Sequence, residues 1–373
     1  MSVLSTRKIS LGDPVPWFRT QNILGQPVDL HVAAGRWVVL AFLGSLANPE
    51  AQKKLALLAG KAASFSNDHL LIYAILSEPP ENIEQVLAMN GPVLKFLADY
   101  DGTLGAYFGA QDKLRTIALD PMLRAIADIT WDDAAGHDNI LDQLLRELPS
   151  VDNSAGVPLT APALIVPRVF DFPLCDLLVG LYDKVGGTDS GFLYDEYGKT
   201  TTVIDHNRKR RSDMVIALPE LRDRIRERIV TRLVPAIKLY FQFEATRMDR
   251  YMVSRYDAET GGHFFRHRDN LNAGAEHRRF ACTINLNGGY EGGDLIFPEF
   301  GRRTYRAPVG GAIVFSCGAL HEVTPMIKSS RYAFIPFLYS EDDAKKRMDN
   351  NARLQAGEAQ YQGLSDLLYP EKA

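Results

Sequence analysis

Two apolar runs without a single charge, residues 37–43 (WVVLAFL) and 70–76 (LLIYAIL), constrain this chain more than any other feature. No polar residue alternates within them, so a strand built from either must be covered on both faces, as in a partly parallel sheet packed between helices. The sequence around them agrees. Residues 49–64 carry Leu55, Leu58 and Ala62 at helical spacing, residues 81–89 read as helix, 116–119 as a third strand closed by Asp120-Pro121, and 139–148 as a last amphipathic helix. Strand and helix alternate, which predicts an α/β sandwich for the first ~150 residues.

Ser, Asp, Asn, Gly and Pro then accumulate without periodicity over residues 149–162, where a boundary is expected. At 373 residues the chain is long enough for two domains, and we place them at 1–155 and 156–373. The second opens with helical stretches at 172–185 and 218–242. From about residue 246 the pattern changes to short strands at 248–256, 280–286, 294–297, 312–317 and 333–339, punctuated by Gly, Asn and Pro. Closely spaced short strands of this kind suggest a β-barrel or jelly roll, with a core at 246–340. The charged tail, 340–368, reads as helical.

Only three cysteines occur, Cys175, Cys282 and Cys317, without C-x-x-C pairing, which fits neither a disulfide framework nor a zinc finger and suits a reducing cytoplasm. Cys282 and Cys317 lie in apolar strands and are expected to act as small hydrophobes. Apolar runs fall far short of the ~20 residues that span a bilayer, and residues 1–12 contain no apolar leader segment. No membrane association is expected. A net charge of −4 gives no general attraction to nucleic acid, and the basic run Arg208-Lys209-Arg210-Arg211 is expected to be a solvated loop.

Gly12-Asp13-Pro14-Val15-Pro16-Trp17-Phe18, then Phe96-Leu97-Ala98-Asp99 with Asp101-Gly102, Tyr107-Phe108-Gly109 and Arg115-Thr116-Ile117-Ala118-Leu119-Asp120-Pro121 resemble, in order, a thioredoxin-fold peroxiredoxin. The chemistry departs from that family. Peroxide reduction needs a thiolate at the loop-to-helix junction after the first buried strand, and here the loop reads Gly44-Ser45-Leu46-Ala47-Asn48-Pro49-Glu50-Ala51. Ser45 stays protonated near neutral pH and cannot run a sulfenic-acid cycle. A non-catalytic scaffold, a dimerisation surface for a homodimer and a substrate-docking module all remain open for this half.

In the second half the central pattern is Tyr256, then His267-x-Asp269, then His321, then Arg331. Residues i and i+2 of a strand point to one face, so His267 and Asp269 can grip a single ion. With His321 they make two imidazoles and a carboxylate on one face of an octahedron, the set an oxygen-activating Fe(II) site requires. His263 either lines that pocket or faces solvent, His277 reads as a surface residue in a polar loop, and Asp205-His206 could belong to a loop over the site.

The pieces Gly261-Gly262-His263-Phe264-Phe265-Arg266-His267-Arg268-Asp269, Arg279, Thr283-Ile284-Asn285-Leu286-Asn287, Tyr290-Glu291-Gly292-Gly293-Asp294, Pro308-Val309-Gly310-Gly311, His321-Glu322-Val323-Thr324-Pro325 and Arg331-Tyr332-Ala333 resemble the prolyl 4-hydroxylase type of 2-oxoglutarate oxygenase. The resemblance implies a double-stranded β-helix with supporting helices behind an α/β thioredoxin-like domain. It also implies Fe(II) held by His267, Asp269 and His321, with 2-oxoglutarate and O2 as cosubstrates. Arg331 would bind the distal carboxylate of 2-oxoglutarate with its planar fork. Tyr256 would hydrogen-bond that carboxylate or line its pocket, and Asn285, where the family often has tyrosine, would contact the cosubstrate. Gly292 and Gly293 form either a tight turn beside the metal or a plain hairpin.

The expected reaction is hydroxylation of an unactivated C–H bond in an amino-acid-type, peptidyl or small-metabolite substrate, with release of succinate and CO2. A thiol peroxidase, a non-catalytic ligand-binding barrel and a nucleic-acid demethylase are the competing classes. The first lacks its thiol, the second needs no triad, and the third lacks a basic face with aromatics.

Overall fold

The computed structural model describes residues 9–111, 114–131, 134–196, 198–358, 360–361 and 366–370. Residues 1–8 of the N-terminal stretch considered above, and residues 359 and 362–365 of the tail, lie outside the described residues. The chain divides into two compact units, Met1–Ala161 with Phe297–Arg303, and Pro162–Ile296 with Thr304–Ala373.

The first unit is built on a seven-stranded sheet in the order Pro27–Asp29, Arg19–Asn22, Leu94–Ala98, Leu70–Leu76, Trp37–Gly44, Arg115–Leu119, Ala125–Thr130. The two apolar runs lie side by side and parallel at its centre, and Leu70–Leu76 runs parallel to Leu94–Ala98 as well. Every residue of Leu70–Leu76 is buried, as an uninterrupted apolar strand demands. Helices Pro49–Ala62 and Ala134–Glu147 cover the sheet, with Leu55, Leu58, Leu141 and Leu145 in its core. This is a thioredoxin-like sheet.

The second unit is antiparallel throughout its two main sheets. The larger runs Arg247–Asp249, Phe337–Tyr339, Phe280–Asn285, Ser330–Phe334, Met252–Asp257, Ser212–Val215, Thr188–Asp189, and Ala312–Ser316 joins Phe280–Asn285 to Ala163–Val166. The smaller runs Lys209–Arg210, His263–His267, His321–Val323, Leu295–Ile296, Thr304–Tyr305. Helix Phe172–Val185, capped by the Asp171 side chain on Leu174 N–H, packs Leu174 and Leu178 onto the larger sheet together with Ile225, Ile229, Leu233 and Ile237. The result is a double-stranded β-helix with supporting helices.

Four expectations are corrected. The helix read over 218–242 is split into Pro219–Arg228 and Val234–Phe241 by a π turn at Ile229–Leu233. Pro235 has no N–H to give the preceding turn, and the widened turn absorbs the loss. The strand read over 333–339 breaks before Phe337, at Pro336. The strand read over 248–256 breaks at Arg250, which sits in the left-handed region at φ 62°. Among the described residues the tail is α-helical over Glu341–Asn350 alone, followed by a short 3-10 turn at Asn351–Arg353.

Among the described residues no helix is long and apolar enough to cross a membrane.

Candidate metal centre and cosubstrate pocket

Strand register creates the site. His263–His267 pairs antiparallel with His321–Val323, and His267 falls directly opposite His321, with a bulge between that pair and Phe264–Val323. Asp269 follows at the strand's end, where its N–H donates to the Cys317 carbonyl at 2.9 Å. One ligand atom from each of His267, Asp269 and His321 lies within 4.8 Å of the others. His267 Nε2 is 3.5 Å from Asp269 Oδ1, and His321 Nε2 is 3.4 Å from Asp269 Oδ2.

Each imidazole is oriented from behind. His267 Nδ1 donates to the Phe265 carbonyl at 2.8 Å and His321 Nδ1 to the Ala319 carbonyl at 3.0 Å. That tautomer leaves the Nε2 lone pair of each ring pointing at the shared centre, as a metal ligand needs. Phe264 stacks on His267 with centroids 3.6 Å apart, and Phe315 meets His321 edge-on at 4.6 Å. Burial penalises the Asp269 charge, but His321, then His267 and Arg278, outweigh it and hold the carboxyl well below the usual range. Burial first, and His267 next, push the His321 imidazole down to about 4 against the pull of Asp269. Two imidazole nitrogens and a carboxylate oxygen fit a divalent metal of intermediate hardness.

The triad opens into a cavity between the two sheets, lined also by Tyr256, Thr283, Leu295, Val323 and Arg331. Arg331 is buried and stands opposite Tyr256 in the larger sheet. Its Nε donates to Asn285 Oδ1 at 3.1 Å, Nη1 to the Gly293 carbonyl at 3.0 Å and Nη2 to Thr283 Oγ1 at 2.7 Å. A guanidinium has five N–H groups, so one remains on each terminal nitrogen for a carboxylate in the cavity.

Asn285 stands behind Arg331 and not in the cavity: its Nδ2 donates to the Ala307 carbonyl at 2.7 Å while its oxygen holds Arg331. Tyr256 lies beneath two cations, with its ring centre 5.7 Å from the Arg331 guanidinium and 5.9 Å from that of Arg211. Gly292 ends a short strand paired across a bulge with Met326–Lys328, which is neither the tight turn nor the plain hairpin expected, and Gly293 abuts Arg331. Gly293 has φ 68°, and a Cβ there would meet Met326 Sδ at 2.4 Å and Arg331 Cδ at 3.3 Å.

Several residues stand elsewhere than their sequence context suggests. The basic run is no solvated loop: Lys209–Arg210 is an edge strand paired with His263–His267, and Lys209 and Arg211 are buried. Strand alternation turns these two inward, Lys209 Nζ to Ser190 Oγ at 2.6 Å and Arg211 Nη2 to Asp213 Oδ2 at 2.7 Å. His277 is likewise buried, against the Tyr339 ring and 3.8 Å from Asp249, because the polar segment around it folds inward. His263 faces the carbonyls of Gly261 and Asn207, and His206 pairs with Asp189 at 2.6 Å, so neither lines the cavity. Sequence reasoning missed Thr283, Arg211, Arg250 and Phe264. The alternation of the basic run with Ser212-Asp213 was the available signal for Arg211.

In the first unit, the loop after Trp37–Gly44 leads into helix Pro49–Ala62, whose N-terminus is capped by Asn48 accepting from Glu50 N–H at 2.9 Å. Ser45 is bonded to Glu78. All three cysteines are buried in the second unit; burial pushes the Cys175 thiol up to about 11 and raises those of Cys282 and Cys317 as well.

An antiparallel double-stranded β-helix thus brings a His-x-Asp pair and a distal His together beside a buried arginine, a candidate metal centre with a cation next to it. Residues 251–339 match the 2OG-Fe(II) oxygenase superfamily and residues 11–125 the AhpC/TSA family. By these matches the chain carries an AhpC/TSA-type, thioredoxin-like domain followed in sequence by a 2OG-Fe(II) oxygenase domain.

A PKHD-type hydroxylase of Gluconobacter oxydans (strain 621H) is 32% identical over 110 residues, which cover 26% of this chain and 47% of that protein. The chain thus spans about half the length of the curated relative it matches. Among solved structures, similarity extends to the viral collagen prolyl hydroxylase of Paramecium Bursaria Chlorella virus-1, at 14% identity, 48% and 96% coverage of the two chains and TM-score 0.36. A Pseudomonas putida prolyl-4-hydroxylase stands at 17%, 51% and 96%, with TM-score 0.36. A putative thiol:disulfide interchange protein DsbE of Chlorobium tepidum stands at 15%, 37% and 98%, with TM-score 0.31.

Proposed function

We propose that this chain is an Fe(II)- and 2-oxoglutarate-dependent hydroxylase acting on an amino-acid-type, peptidyl or small-metabolite substrate, with succinate and CO2 as coproducts. One observation carries the proposal: two tautomer-locked imidazoles and a carboxylate converge within 4.8 Å in the same cavity as Arg331. In this reading His267, Asp269 and His321 hold the iron, and Arg331 receives the far carboxylate of 2-oxoglutarate. Thr283, Asn285 and Gly293 fix the guanidinium so that little side-chain entropy is lost when the dicarboxylate arrives. Tyr256 forms a wall of the pocket, and Phe264, Leu295, Phe315 and Val323 exclude water from it. Bound iron would supply the oxygen activation, while the barrel supplies orientation and dryness.

The test is to titrate 2-oxoglutarate into Fe(II)-loaded, oxygen-free protein while following visible absorbance. A metal-to-ligand charge-transfer band should grow, vanish with a chelator and return with Fe(II). Protein that takes up no iron, or iron-loaded protein that shows no band, would rule the proposal out. Mass spectrometry of an extract incubated with enzyme, Fe(II), O2 and 2-oxoglutarate should then show products one oxygen heavier.

The AhpC/TSA-like unit is proposed to be silent as a peroxidase. Its helix N-terminus is capped by Asn48, with no thiol in the adjoining loop. Purified protein should consume peroxide no faster than an unrelated control protein, and thiol-dependent turnover above that background would refute this.

A further inference from the structure

Arg250 is a cavity cation that the proposed occupants do not use. It breaks the strand between Asp249 and Met252 in a left-handed conformation, φ 62°, that only a few per cent of non-glycine residues adopt. Such strain persists where the surroundings fix it and clusters at binding sites. Its side chain lines the cavity with the triad and Arg331, and its guanidinium lies 4.7 Å from the centre of the Phe337 ring. Among the described residues its side chain makes no hydrogen bond or ion pair.

Neighbouring charges are otherwise committed. Arg211 is paired with Asp213 at 2.7 Å, Asp249 faces Arg347 at 3.5 Å and His277 at 3.8 Å, and Arg278 donates to the Asp269 carbonyl at 3.3 Å. Arg278 also lies against the Phe337 ring, 4.1 Å from its centre. Burial first, and Arg278 next, push Arg250 down to about 10 despite the pull of Asp249.

The charges can be summed. A divalent metal with Asp269 leaves one positive charge, a bound dicarboxylate with Arg331 leaves one negative charge, and Arg211 with Asp213 leaves none. Arg250 remains, partly desolvated, with no ion-paired partner among the described residues and with its neighbour Asp249 shared between Arg347 and His277. An anion brought in from outside would stabilise a cation in that position.

We propose that Arg250 receives an anionic group, a carboxylate or a phosphate, of the substrate that is oxidised. This rests on the functional reading above and narrows its substrate class to acids. Neutral peptide interiors and uncharged metabolites are then poor substrates, whereas free amino acids, acidic side chains and phosphorylated metabolites fit.

The test uses the full chain, loaded with Fe(II) and saturated with 2-oxoglutarate without oxygen, in chloride-free buffer. Acetate, acetamide and inorganic phosphate are each titrated calorimetrically into wild type, Arg250→Asn and Arg250→Lys. Asparagine tolerates the left-handed backbone and lysine keeps the charge, and melting temperatures check that both variants fold. Acetate or phosphate should bind wild type at least tenfold more tightly than acetamide, and the tighter of the two identifies the group. Arg250→Asn should lose that tenfold preference and Arg250→Lys should keep part of it, while the 2-oxoglutarate titration stays within twofold of wild type in both. Anion affinity unchanged in Arg250→Asn would overturn the assignment alone, since the anions would then be on the metal. So would a fall in 2-oxoglutarate affinity as large as that from Arg331→Ala. Wild type that binds no 2-oxoglutarate overturns the functional reading, and this assignment with it.

Discussion

Replacing His321 by alanine is expected to abolish stoichiometric iron binding. Among the described residues three side chains make up the proposed ligand set, and His321 is the one that arrives from a separate strand, opposite His267. Disturbing a group behind a metal ligand typically costs 10–100-fold in affinity. Loss of a ligand itself should cost at least about a hundredfold, roughly 2.8 kcal/mol at ~1.4 kcal/mol per tenfold. Iron content after desalting, measured beside wild type and Asp269→Ala, gives the answer. Full occupancy in His321→Ala would remove His321 from the ligand set.

Arg331→Ala should leave iron binding nearly intact and weaken 2-oxoglutarate by about thirtyfold or more. Truncating one partner of a desolvated charge pair costs roughly 2–5 kcal/mol, because the other charge is left buried without its match. Arg331→Lys should fall between, keeping the charge but losing the fork. Thr283→Val offers a finer version. It removes the oxygen that holds Nη2 at 2.7 Å and should produce a smaller loss of the same kind. Titration of the charge-transfer band reads all three variants. Equal 2-oxoglutarate affinity in wild type and Arg331→Ala would move the clamp elsewhere. Lys328, the basic residue nearest to Arg331 in sequence, is exposed and faces Glu291 at 3.7 Å.

The central sheet of the first unit was legible because its strands are apolar on both faces. Burial leaves no freedom of register, and the observed strands Trp37–Gly44 and Leu70–Leu76 start where the runs start. The triad was legible because a two-residue spacing on a strand has one geometric meaning. Arg250 was not. Residues 248–256 read as one strand, and the kink depends on tertiary contacts that hold a non-glycine residue at positive φ. The basic run misled for a related reason: four consecutive cations suggest solvent, yet in a strand every second one turns inward, where Ser190 and Asp213 wait. His277 shows the same limit, since polar neighbours in sequence do not say which way a loop folds. Asn285 was read as touching the cosubstrate directly, and only the structure reveals that its amide is spent on Arg331 and Ala307.

The pairing of His267 with His321 also bears on how the oxygenase unit holds together. These strands are registered at only two positions with a bulge between them, and one is five residues long and the other three. A metal gripped from both closes a loop of about fifty residues, much as a cross-link would. Bound metal then contributes to stability by mass action, about 2.7 kcal/mol at a free concentration a hundred times its Kd. A cell short of iron would hold less of the protein, not merely a less active form of it, because the loosened strand pair exposes the chain to proteolysis.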